Sequence, residues 1–253
     1  MSRMTLLTCT ALGILAAACS DGSGPGSTGR QVSFQLATRA AGPAPAPGMA
    51  SLAGTETIAL GNDTIVVTQV ELVLRQIELK RVGGLVCDTT VVGDDCEELK
   101  TGPVLLDLPL GAGAARQFTV PVDTGSYGKI EFEIHKPSRS DDAAFLAQHP
   151  AFDGVSIRMT GTYNGTPFTY TSDLDVEQEA DLVPPLTVTE TSGANLTLFV
   201  DLSTWFANQQ GTGLIDPASA NKGGAFEGEV KSNIEASFKA FEDDDRDGHD
   251  DNS

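Results

Sequence analysis

Apolar and polar residues alternate with period two along most of the chain between residues 31 and 241. Val32, Phe34 and Leu36 point one way and their neighbours the other. Ile130, Phe132 and Ile134 face inward while Lys129, Glu131, Glu133 and His135 face outward. The same alternation returns at Val155, Ile157 and Met159, at Leu196, Leu198, Val200 and Leu202, and at Ile234, Ala236, Phe238 and Ala240. Period two marks half-buried strands. Val104 to Leu110 and Gln117 to Val122 read as two more. Residues 64–82 form the longest ordered run, with Val70, Leu72 and Leu74 in one phase and Ile77 and Leu79 in the other. That phase change places a bulge at Arg75 or Gln76. A helix would also gather Val70, Val73, Leu74 and Ile77, but β-branched content and the absence of a cap favour a strand. Tyr163-Asn164-Gly165-Thr166 carries the strongest short hairpin signal. Helix signals are sparse: Ser140-Asp141-Asp142 can cap a short helix through Phe145 and Leu146 ahead of Pro150, and a further turn fits Phe226 to Lys231. Many short strands with Gly-rich turns imply an all-β domain, an antiparallel β-sandwich with one or two short helices.

The N-terminus breaks this pattern. Arg3 precedes an uncharged, apolar or small stretch over residues 5–18, too short to span a bilayer comfortably. It closes on Leu15-Ala16-Ala17-Ala18-Cys19, which resembles a bacterial lipoprotein signal whose Cys is lipidated and becomes the mature N-terminus. Ala16 stands where that family usually has Leu, so ordinary cleavage near Ala18 is the alternative. Ser20 after the Cys implies, by the same resemblance, the outer membrane of the cell envelope. The expected organisation is a signal peptide at 1–18, a lipid anchor and Gly/Ser-rich tether at 19–30, a β-sandwich at 31–241 and an acidic tail at 242–253. Residues 40–54, rich in Ala, Pro and Gly, read as an irregular loop. Cys87 and Cys96 are expected to form a disulfide in an oxidising envelope, with two free thiols as the other reading.

Composition narrows the function classes. The apolar share of 40% is too high for a wholly disordered chain. The formal net charge of −19 argues against nucleic acid and against a polybasic grip on anionic lipid. The charge is concentrated: the tail from Glu242, residues 173–181 and the stretch Asp88 to Glu98 hold most of it. Divalent cations or basic protein surfaces are the partners such patches suit.

The sharpest local pattern is in the tail. Asp243, Asp245 and Asp247 take loop positions 1, 3 and 5, Gly248 position 6 and Asp251 position 9, the ordering of oxygen ligands and turn that Ca²⁺ requires. The sequence stops at Ser253, before position 12, so a weak Ca²⁺ loop, with Kd of ~10⁻⁴–10⁻³ M, is the expectation. A solvated acidic tail is the bland alternative. Period two would also set Asp173, Asp175, Glu177, Glu179 and Asp181 on one strand face, either as a cation or basic-partner surface or as a charged edge strand. Catalytic signatures are thin. His135 and His149 lack metal-binding spacing, and Gly125-Ser126-Tyr127-Gly128 is no nucleophile elbow. Aromatics are only 6% with one Trp, and Trp205-Phe206 is better suited to anchoring a loop than to stacking a sugar.

Three segments resemble a family of bacterial surface lipoproteins whose domain has no assigned function: Thr68 to Leu72; Val104 to Leu108 with Val120 to Val122 and Gly125 to Ile130; and Pro185 to Val188 with Asn195 to Leu202. The resemblance implies a transthyretin-like sandwich. The functional expectation is a lipid-anchored, non-enzymatic envelope protein with a binding, adhesion or structural role. The rivals are an envelope hydrolase using paired carboxylates and a fimbrial-type subunit.

Overall fold

The 19-residue run Asp63–Arg81 is one strand, and the fold is organised around it. The computed structural model describes residues 30–38, 54–84, 96–111, 113–245 and 248–251. Cys19 and Cys87 lie outside the described residues, as does the side chain of Cys96, so the expected lipidation and disulfide sites fall there too. The elements in chain order are β1 (Gln31–Ala37), β2 (Glu56–Leu60), β3 (Asp63–Arg81), β4 (Cys96–Lys100), β5 (Val104–Asp107), β6 (Ala115–Pro121), β7 (Gly125–Ile134), α1 (Ala143–Gln148), β8 (Ile157–Tyr163), β9 (Thr166–Ser172), β10 (Val176–Val188), β11 (Ala194–Val200), α2 (Leu202–Trp205), α3 (Glu227–Glu235) and β12 (Phe238–Glu242).

An eight-stranded sheet runs β10-β7-β3-β8-β9, with β2, β5 and β4 also pairing with β3. A bend lets β3 serve so many partners. Gln76 sits at φ 50° and the register slips between Arg75 and Glu78, so Leu74 and Ile77 are both fully buried despite their odd spacing. This is the expected bulge, and the helical alternative for the run is excluded. The second sheet has the order β12-β11-β1-β6. Its strand β1 is central, and Phe34 stacks on Phe118 of β6 at 4.9 Å. Residues of both sheets, among them Phe34, Leu36, Leu196 and Leu198 from one and Leu72, Ile130 and Phe132 from the other, form one continuous core. The chain is thus an all-β sandwich.

Three details depart from the sequence pattern. β1 and β11 pair in parallel, whereas the other named ladders are antiparallel. There are three α-helices among the described residues, not one or two, all of nine residues or fewer. Ile234 belongs to α3 rather than the last strand, because with Val230 it forms a buried pair four residues apart on one helical face. The hairpin at Asn164-Gly165 is as expected: both residues hold positive φ, 48° and 82°, which a type I′ turn between β8 and β9 requires. No described helix is long and apolar enough to cross a membrane.

The opposite face of the eight-stranded sheet is covered locally. Val73 points away from the main core and packs with Leu146 of α1 and Phe152. That small cluster docks the segment 138–152 onto the sheet and carries Asp142 over His135.

Candidate functional site

The last strand leads into the acidic tail, and the tail folds back onto the sheet rather than trailing into solvent. The Asp243 N–H donates to the Asn195 carbonyl at 3.2 Å, extending the β11–β12 ladder by one rung. The Asp243 side chain is fully buried on the sheet, where Oδ2 accepts from the Thr197 hydroxyl at 3.2 Å and from the Gly248 N–H at 3.1 Å. The Asp244 N–H donates to Asp251 Oδ2 at 2.6 Å, and the Asp251 N–H to the Glu242 carbonyl at 3.4 Å. Gly248 holds φ at +86°, a left-handed conformation that other residues adopt at a cost. The turn is therefore closed by the residues that the spacing singled out.

Its consequence is convergence of charge. Asp243, Asp245 and Asp251 each place a carboxylate oxygen within 4.8 Å of the others. Two such charges at that separation repel by about 3 kcal/mol at an effective dielectric constant of about 20. Two oxygens bound to one Ca²⁺ at ~2.4 Å lie at most ~4.8 Å apart, so the arrangement has the span of a Ca²⁺ shell. The local potential registers on a neighbour: burial, followed by the charges of Asp244, Asp251 and Asp250, pushes the Glu242 carboxyl above its ordinary value. Asp247, the fourth expected ligand, lies outside the described residues.

The five-acid stretch is arranged differently from expectation. Only Glu177, Glu179 and Asp181 share an exposed face of β10, while Asp173 and Asp175 precede the strand. Neighbouring lysines neutralise most of the charge. Lys231 Nζ and Lys222 Nζ lie 2.6 and 2.9 Å from the Asp173 carboxylate. Glu179 pairs with Lys129 and, at 3.4 Å, with Lys80, and Asp181 lies 3.5 Å from Lys129. Repulsion along the stretch is thus relieved from within the fold. The stretch still borders the tail: Glu179, Asp181 and Asp250 line one groove of about 390 Å³ between β10 and β12, together with Phe238, Lys239 and Phe241. Of the third acidic patch, Glu97 pairs with Arg81 at 2.8 Å, and Glu98 is exposed on β4.

The Asp173 clamp has a measurable consequence. The Lys231 and then the Lys222 ammonium hold the Asp173 carboxyl down to about 2. A depressed carboxylate stabilises the fold above its unfolded value and loses that contribution as pH falls through the folded value. Asp173→Asn should therefore lower stability at neutral pH by on the order of 2 kcal/mol, with the difference from wild type shrinking as pH drops from about 4 towards 2, measured by urea unfolding across that range.

His135 is not on a solvent face. It is 4% exposed, because the turn at Ser138 to Asp142 closes over it. Its Nε2 lies 2.8 Å from Asp142 Oδ2, and its Nδ1 lies 3.3 Å from Glu133 Oε1 and 3.6 Å from Asp175 Oδ1. Arg75 grips both oxygens of Glu133 at 2.6 and 2.9 Å. Sequence reasoning set His135 aside for lack of an HExxH spacing. The usable signal was Glu133-x-His135, two residues apart on one strand face, opposite the start of β10. Beside this cluster, a cleft of about 430 Å³ runs between β5 and α1, bordered by Lys100, Asp141, Asp142 and His149. Hydrogen bonds from Ser138 and Ser140 hold Asp141 below the carboxylate range. Burial alone would raise Asp142, but the Ser138 N–H and His135 outweigh it and leave that carboxyl lowered as well.

Trp205 and Phe206 are 0% and 1% exposed and belong to the core. A scan against protein-family models, a search of curated proteins and a search of solved structures each found no match.

Proposed function

We propose that this chain is a lipid-anchored protein of the cell envelope, held at the outer membrane through Cys19, whose β-sandwich serves a non-enzymatic binding, adhesion or structural role and carries a Ca²⁺-binding loop at residues 243–251. The observation behind the cation reading is the convergence of Asp243, Asp245 and Asp251 around the Gly248 turn. Hard carboxylate oxygens at alternate loop positions suit Ca²⁺ better than softer ions. The anchor rests on the Arg3 to Cys19 segment.

Asp141 and Asp142, the two acids bordering the α1 cleft, have lowered carboxyls, and neither suits the general acid of a hydrolase, which needs a raised one. Against the fimbrial subunit, the outer edges of the eight-stranded sheet are blunted. The Thr171 N–H on β9 donates to Asn221 Oδ1 at 2.9 Å, and β10 carries Pro184 and Pro185.

Fractionation tests the anchor: Cys19→Ala should move the protein from the membrane pellet to the soluble fraction, and continued membrane association would contradict lipidation. Pull-down from native envelopes with Ca²⁺ and with chelator tests the binding role. Partners retained only with Ca²⁺ are expected, and identical recovery in both would contradict it.

A further inference from the structure

The His135 cluster has the makings of a second metal centre, of a different chemical class from the acidic loop. Asp142, which offers only acceptors when ionised, takes the Ser138 N–H at 3.0 Å and lies 2.8 Å from His135 Nε2 through the same oxygen. The Nε2–Asp142 contact of 2.8 Å suits the tautomer with its N–H at Nε2. This leaves Nδ1 as the ligating nitrogen, and it faces two carboxylate oxygens. A bare lone pair in that position would be repelled by both. Two ligands bound at ~2.0–2.1 Å to a tetrahedral Zn²⁺ lie about 3.3 Å apart. The observed Nδ1 separations of 3.3 and 3.6 Å already match that spacing.

The surroundings complete the picture. Asp142 is buried, Glu133 is half-buried and Asp175 is 42% exposed by side chain, so Asp175 marks the side by which an ion enters. Asp175 is itself oriented by the Lys136 N–H at 3.0 Å. Arg75 fixes Glu133 from behind. Three carboxylates and one guanidinium give this group a formal charge of −2, which a divalent ion would balance. A carboxylate that orients a ligating imidazole through its other nitrogen is a recurring outer-shell device of metal sites.

We propose that Glu133, His135 and Asp175 form a binding site for a first-row transition dication such as Zn²⁺, with Asp142 as the positioning residue that sets the His135 tautomer. An imidazole with two carboxylates suits Zn²⁺ and not Ca²⁺, which takes oxygen ligands. The site is independent of the Ca²⁺ loop.

The test is calorimetric titration of the metal-stripped mature protein with Zn²⁺ in excess Ca²⁺, so that the acidic loop does not compete. One Zn²⁺ per chain is expected. His135→Gln and Asp175→Asn should each weaken it at least tenfold, and Asp142→Asn by 10–100-fold. His149→Ala and Asp245→Asn should leave it unchanged. Asp175 is partly exposed, so its variant keeps the question open to test even if the buried His135 variant misfolds. Co²⁺ in place of Zn²⁺ should give visible d–d bands that vanish in Asp175→Asn. Absence of Zn²⁺ binding, binding unaltered in Asp175→Asn, or binding abolished by Asp245→Asn would each overturn the proposal.

Discussion

Trp205→Ala should lower the unfolding free energy by about 3–5 kcal/mol, the largest loss expected from any single truncation in this fold. The indole is fully buried where α2 and α3 close the end of the sandwich. Its N–H donates to Ser237 Oγ at 2.9 Å, and the Ser237 hydroxyl in turn donates to the Ile234 carbonyl at 2.7 Å, the last turn of α3. Asn233 Nδ2 binds the carbonyls of Trp205 and Ala207 at 3.1 and 2.9 Å, so the same residue ties both helices together. Removing the side chain leaves a large cavity in the core, which the surroundings refill only in part. Trp205→Phe should cost less, since it refills most of that volume and loses chiefly the hydrogen bond to Ser237. Urea unfolding followed by circular dichroism measures both variants.

The second large effect is on Ca²⁺. With Kd of ~10⁻⁴–10⁻³ M, about 10 mM Ca²⁺ should stabilise the wild type by about 1.4–2.7 kcal/mol, because ligand bound only to the folded state adds stability by mass action. Asp243→Asn should abolish that increment and, in chelator, be at least as stable as wild type, because one of three repelling charges is gone. Asn keeps the shape of the side chain and can still accept from Thr197 and Gly248, so the fold survives. What is lost is the charge at the first ligand position, the one buried in the sheet. If thermal unfolding of wild type and variant rises equally with Ca²⁺, Asp243 is not a ligand.

The two large effects differ in how far the sequence announced them. The strand pattern was legible because each strand buries one face: the alternation at Ile130, Phe132 and Ile134, the Asn164-Gly165 turn and the phase slip at Gln76 all reappear as built. The parallel pairing of β1 with β11 was not, since residues 31–37 and 194–200 meet only through the folded chain and alternation does not encode a partner. Ile234 misled because a residue two before Ala236 is also four after Val230, and both periods fit. At the tail, the Asp and Gly spacing is local and survived into the structure intact. The acidic stretch at 173–181 read correctly as a charged edge strand over Glu177 to Asp181, but its neutralisation was not legible, because the lysines come from β3, β7 and the α3 region, far off in sequence. His135 was missed for the same reason: its burial depends on a docked turn, and its neighbour Asp175 stands just before β10, forty residues on.

The most direct measurement is isothermal titration of the mature protein with Ca²⁺. One Ca²⁺ per chain with Kd of ~10⁻⁴–10⁻³ M, lost in Asp243→Asn and weakened in Asp245→Asn and Asp251→Asn, is the expected result. No heat above dilution, or binding indifferent to all three substitutions, would contradict a Ca²⁺ loop at residues 243–251.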